Sequence, residues 1–337
     1  MNRDAFIGAS ISTRIYEDNL LNQKDLERLN EFDTLDEVLN SLNDSIYEIN
    51  ELDRSEDYEI ILDRELKRAY DVIRDVSPDK NIGAYLIEKY NFHNLKVLLK
   101  EYIQGEDYRL IYSKMGDIDI DLIKRELALA DEGKKDFDDE DDFYLNAAIK
   151  ALEAYRQNED PAMIDISLDK AYYEKLLKLA YEISLDSLIS YTKESIDLVN
   201  IKTLLRIQNL NLDLEELDKA IIDGGNINKE SLIEMFKLKL DQIRAKLSNY
   251  DIASYMERTL SIDKPLEENI LDLEKVIDDH FMDFAKKAKQ ITYGPEILLA
   301  YLIAKENEIK NLRIIFVSKL NGLSKEFSKE RLRECIN

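Results

Sequence analysis

Three stretches of this chain carry one pattern: NFHNLKVLLK from residue 91, DLVNIKTLLR from 197 and EIKNLRIIFV from 308. Each has Asp, Glu or Asn, two further residues, Asn, Leu or Ile, Lys or Arg, and then an aliphatic-rich turn. The shared asparagines are Asn94, Asn200 and Asn311, 106 and 111 residues apart. A second marker keeps the same register: LDR from 62, LDK from 168 and LEK from 273, with offsets of 106 and 105. GDIDIDLIK from 116 and GNINKESLIE from 225 extend the likeness beyond the first two asparagines. Self-similarity at a fixed period reads as repeated supersecondary units, so the chain is divided into three helical repeats, 1–115, 116–223 and 224–337.

Each asparagine falls inside a long helical pattern. In the first copy Phe92, Leu95, Leu99 and Tyr102 trace one helical face. Ser77-Pro78 reads as its N-cap and first helical position, and Gly105 as its stop. Gly294-Pro295 and Gly322 take the same parts in the third copy, where the asparagine again follows the proline by 16 residues. Such rods span about 27 residues, or roughly 40 Å. Gly and Pro together number only 13 in 337 residues, and nothing reads as a strand. The fold class expected is all-α.

Charge narrows the partners. Lys and Arg number 47 against 71 acids, a net charge of −24, which repels a polyphosphate backbone and argues against nucleic acid. Residues 283–337 run the other way, with 11 basic and 7 acidic side chains, and suit an acidic partner. Cys335 is the single cysteine, so no internal disulfide forms, as in a cytoplasmic protein. The opening MNRDAFIGASISTRIYEDNLLN has no apolar stretch of signal-peptide length, and the longest apolar run, Ile297 to Ala304, is too short for a bilayer span.

Catalytic motifs find little support. DDEDD from 138 fits the DDxxD pattern of helical prenyl-transfer enzymes, but it lies in the solvated run DEGKKDFDDEDDF and lacks a suitably spaced second acidic cluster. As a calcium loop it fails at Asp141 and Ala147. His93 and His280 have no partner at zinc spacing, and no Walker loop occurs. No cofactor, metal or catalytic residue is expected. His93 sits on the stripe Lys89, His93, Lys96, Lys100 and reads as part of a basic face.

A mid-helix asparagine is unfavourable unless its side chain finds partners. Asn94, Asn200 and Asn311 therefore read as structural pins bonded to a neighbouring helix, with Asp197 and Glu308 as the acids of the same motif. Lys96, Lys202 and Arg313, with His93, Lys100 and Arg206, are the candidate partner interface.

The three motif copies, ending in GPEILLAYLIAKENEIKNLRIIFVSKLNGLSKEFSKERLRE, resemble the central-stalk C subunit of V-type and A-type rotary ATPases, the counterpart of the eukaryotic d subunit. ASISTRIYEDNLL resembles that family's opening Arg-containing helix, and Asn91 stands where the family has an acid in the first copy. The resemblance implies a non-enzymatic, three-lobed, pseudo-threefold funnel. It would cap the membrane proteolipid ring on the cytoplasmic face, receive the rotor shaft in its hollow and transmit torque for proton or sodium transport. A freestanding helical-repeat scaffold is the alternative reading of the same residues.

Overall fold

The computed structural model describes residues 2–43, 45–47, 54–131 and 142–335. No strand occurs among them. The helices are α1 (Ile7–Glu17), α2 (Gln23–Asn30), α3 (Leu35–Ser41), α4 (Glu59–Val76), α5 (Asn81–Gln104), α6 (Ile120–Asp131), α7 (Phe143–Asn158) and α8 (Ala162–Ile183). They continue as α9 (Asp186–Asn209), α10 (Leu214–Ala220), α11 (Lys229–Phe236), α12 (Leu240–Leu247), α13 (Ala253–Thr259), α14 (Leu266–Ala288), α15 (Pro295–Leu320) and α16 (Lys325–Lys329). Most of the acidic run, residues 138–141, lies outside the described residues. Its last member, Asp142, caps α7 by accepting the Leu145 N–H at 3.0 Å.

The asparagine rods are α5, α9 and α15, of 24, 24 and 26 residues. In the third copy Gly294 and Pro295 start the helix as the sequence suggests, and Gly322 follows its end at φ 62°, with Leu323 N–H reaching back to Ser318 O at 2.8 Å. Gly105 closes α5 at φ 71°. The first start differs: Ser77 ends α4, and α5 begins only at Asn81. Ser77 Oγ and the Asp79 carboxylate accept the N–H groups of Asp79 and Asn81, so a tight polar turn, rather than Pro78, launches the helix.

The chain forms two compact units. Unit 1 comprises Met1–Leu86 and Asp278–Asn337. Its axis is α15, where every residue from Pro295 to Ile309 is buried, against α1, α2, α3 and α4. A helix apolar or buried on all sides belongs in a core, which explains the run Ile297–Ala304. The N-terminal segment braces its start: Arg3 forks onto Glu296 at 2.7 and 3.0 Å, and Gly294 N–H donates to Ser10 Oγ at 3.0 Å. Arg14 donates to the carbonyls of Ala288 and Ile291, placing a cation at the C-terminal end of α14.

Deeper in unit 1, Lys305 is fully buried, with Glu308 at 2.6 Å and Glu65 at 3.2 Å. Arg68 forks onto Glu65, so two cations meet two carboxylates, and Tyr47 and the Leu21 N–H donate to Glu308. Buried charge is tolerable only when balanced and hydrogen-bonded in this way.

Unit 2, Ile87–Ile277, contains two apolar clusters. One gathers α5 to α8 around Leu95, Leu99, Ala148 and Leu168. The other gathers α9 to α14 around Leu204, Leu232, Ile243 and Leu273.

One glycine tests the packing sharply. A Cβ on Gly225 lies 2.2 Å from Asp197 Oδ1, whereas one on helical Gly83 meets nothing within 4 Å. Gly225→Ala is expected to cost about 1–3 kcal/mol of overpacking, and Gly83→Ala to gain roughly 0.5–1 kcal/mol of helix propensity. Urea unfolding of the two variants checks both signs.

Candidate functional site: the asparagine clamps and their cations

Each motif asparagine makes the same bidentate clamp. Asn94 Nδ2 donates to Ser113 O at 3.0 Å and Oδ1 accepts Ser113 N–H at 2.7 Å. Asn200 grips Ile222 by the same two atoms at 2.8 and 2.9 Å, and Asn311 grips Arg333 at 3.1 and 2.8 Å. All three asparagines are buried. The gripped residue lies 19, 22 and 22 positions downstream and is outside any helix. The pins thus hold the chain returning from each rod, not the neighbouring helix that the pattern suggests. An amide suits this task because it offers one donor and one acceptor, matching the N–H and C=O of a single residue.

The residue three positions earlier adds a second grip in two copies. Asn91 Oδ1 accepts the Asp117 N–H at 2.9 Å, and Asp197 accepts the N–H groups of Asn226 and Ile227 at 3.0 and 2.9 Å. This explains the echo of GDID and GNIN. Gly116 and Gly225 give the gripped backbone clearance from these side chains, Ile118 and Ile227 pack into the two clusters, and Asp119 and Asn228 cap α6 and α11. In the third copy Glu308 instead serves the buried Lys305.

The cations two residues after each asparagine are engaged within the chain. Lys96 pairs with Asp169 at 2.7 Å, Lys202 with Glu274 at 3.8 Å, and Arg313 forks onto Glu59 at 2.8 Å through two nitrogens. Asp169 and Glu274 are the acids of the second and third LDR-type markers, and Glu59 lies one turn before Asp63 of the first. The order is therefore first cation to second marker, second to third, and third to the first marker's helix. Lys100 pairs with Asp165 at 3.3 Å, His93 Nε2 lies 3.0 Å from Ile111 O, and Arg206 is exposed without a side-chain partner among the described residues.

Two features escape the sequence reading. Helix α1 exposes Ile7, Ile11 and Ile15, spaced four residues apart along one face, a stripe visible in IGASISTRI once the helix is assigned. Beside α16, Val317, Leu323 and Phe327 stay more than a third exposed. No group of three or more metal-ligating side chains occurs among the described residues, and no helix among them is long and apolar enough to cross a membrane.

Burial pushes the Asp197 carboxyl up to about 6, against the pull of its two backbone donors. Because the folded value exceeds the unfolded one, this group's contribution to stability is fullest below about pH 4 and is lost as pH rises through about 6. Asp197→Asn is expected to remove that part of the slope, read as an unfolding midpoint at pH 6 that rises relative to the midpoint at pH 4 when compared with the parent chain. Burial also raises the Cys335 thiol to about 11. Asn311→Ala cuts both bonds to Arg333 and so loosens the tail that carries Cys335. It is expected to cost about 2–3 kcal/mol and to speed Cys335 alkylation at mildly alkaline pH by about tenfold or more through local opening. Asn94→Ala leaves that rate unchanged.

The described residues form an all-helical protein in which Asn94, Asn200 and Asn311 each hold the backbone of one downstream residue. The family model described as "ATP synthase (C/AC39) subunit" matches residues 12–331, and the chain belongs to that family. The C subunit of the V-type sodium ATPase of Enterococcus hirae is 25% identical over 320 residues, covering 94% of this chain and 95% of that one. The C subunit of the A-type ATP synthase of Methanocaldococcus jannaschii is 26% identical over 342 residues, covering 96% and 84%. That of Archaeoglobus fulgidus is 24% identical over 351 residues, covering 96% and 95%.

Proposed function

We propose that this chain is the non-catalytic central-stalk subunit of a V/A-type rotary ATPase, joining the soluble rotor shaft to the membrane proteolipid ring and passing torque between them. It acts peripherally, on the cytoplasmic face, in ATP-coupled transport of protons or sodium. The observation that carries this reading is family membership across residues 12–331. The relatives named as the C subunits of such ATPases are matched along most of their own length.

The geometry supports a coupler on mechanical grounds. A torque-bearing part must return its chain between stiff elements without slack, and each rod, of about 36 to 39 Å, is tied to its own return by an asparagine clamp. The rotating order of the three cation pairs supports three pseudo-symmetric repeats, 1–115, 116–223 and 224–337, closing as a three-lobed funnel. In this reading Lys96, Lys202 and Arg313, already bridged by carboxylates, hold lobe to lobe and border the receiving surface. His93, Lys100 and Arg206 extend that surface along the rods.

The reading is tested by tagging the chain, solubilising native membranes in mild detergent and identifying what stays bound. Recovery of a proteolipid ring together with ATPase head subunits is the expected result. If membranes holding an intact rotary ATPase yield only soluble partners, the chain is a freestanding scaffold instead.

A further inference from the structure

The outer face of α15 and the segment that follows it border a groove of about 340 Å³ in unit 1. Its apolar lining comes from Ile314, Val317, Leu323 and Phe327. Its polar side-chain lining is cationic apart from Ser318, with Lys310, Arg313, Arg331 and Arg333, of which Arg313 is bridged to Glu59. In a chain of net charge −24 this is a local reversal of sign. Val317, Leu323 and Phe327 are 38%, 39% and 37% exposed, so apolar surface remains to be covered. The rim is partly preorganised: the Arg331 guanidinium lies 3.6 Å from the Phe327 ring centroid, and its Nη1 donates to Phe327 O at 3.1 Å.

We propose that this groove docks an acidic amphipathic helix from another protein of the assembly. Its apolar side chains would enter between α15 and α16 and its carboxylates would meet the basic rim. The proposal rests on the rotary-complex reading for the partner's origin, but not for its chemistry. Charge complementarity selects an anionic partner, and a groove following a helix with apolar positions three residues apart, Ile314 and Val317, suits helix-in-groove recognition. Glu59 regulates the site. Its carboxylate already occupies the Arg313 fork, so it competes with an incoming carboxylate for that guanidinium.

Two measurements test this. In the first, the purified full chain is titrated with an 18-residue probe helix bearing leucines three and four apart and glutamates elsewhere, followed by fluorescence anisotropy. A probe with the same leucines and lysines for glutamates serves as the counterpart. The glutamate probe is expected to bind and the lysine probe not. Lys310→Glu with Arg331→Glu should weaken binding about tenfold or more, and Glu59→Gln should strengthen it by about twofold to fivefold. Equal binding of the two probes, no binding, or indifference to these surface substitutions overturns the proposal.

In the second, a benzophenone side chain at Leu323 is photolysed within the detergent-solubilised complex, and the cross-linked peptide is identified by mass spectrometry. An acidic helical segment with helically spaced apolar residues supports the proposal. Cross-linking to lipid alone, or none in an intact complex, overturns it. If no complex assembles, the rotary reading fails, and the probe titration alone judges the groove.

Discussion

The rest of the structure depends on a backbone constraint: a chain that leaves a long helix must return, and the returning peptide groups have to be satisfied without a sheet. This protein answers with a single side chain per rod. Asn94, Asn200 and Asn311 each take both polar groups of one downstream residue, a match that an amide completes and a carboxylate or amine does not. From that anchor the next helix starts in a fixed place, as Asp119 and Asn228 do at the same interval after the clamp's second grip. The ion pairs of Lys96, Lys202 and Arg313 add ties at larger sequence distance, but these are half-exposed and screened, and they contribute less than the clamps.

Departures from the pattern are as informative as its recurrence. Asn91 stands where the other two copies have an acid; its Oδ1 still accepts the Asp117 N–H, and its Nδ2 adds a bond to the Asp117 carboxylate at 2.9 Å. Glu308 leaves the grip altogether because α15 runs through the centre of unit 1, where Lys305 needs a second carboxylate beside Glu65. A buried ammonium with only one partner would be strongly destabilising. One copy of a repeated motif has thus been taken over by the electrostatics of a more deeply buried helix.

Much of this was legible in the sequence. Scarce Gly and Pro implied helices, and the recurring asparagine located the rods and marked a polar residue that had to be satisfied. What it was bonded to could not be read, because Ser113, Ile222 and Arg333 carry no shared side chain: the clamp addresses backbone, which every residue has. The first rod's start is not legible, because Ser77-Pro78 resembles a helix entry while the Ser77 and Asp79 side chains build a turn there. The cations are legible but their pairing is not, although the LDR-type markers contain the partners Asp169 and Glu274. The groove beside α16 was hidden for a different reason: its lining is spread over Lys310 to Arg333 and is assembled only when the tail folds back along α15.

In the proposed role, the chain would couple ATP chemistry to ion movement mechanically. The most direct test of this role is to measure ATP hydrolysis and ion uptake together in inverted membrane vesicles from cells lacking the chain, and again after adding it back. The account predicts hydrolysis without an ion gradient in its absence and a restored gradient on its return. A gradient of normal size in vesicles without the chain would contradict it.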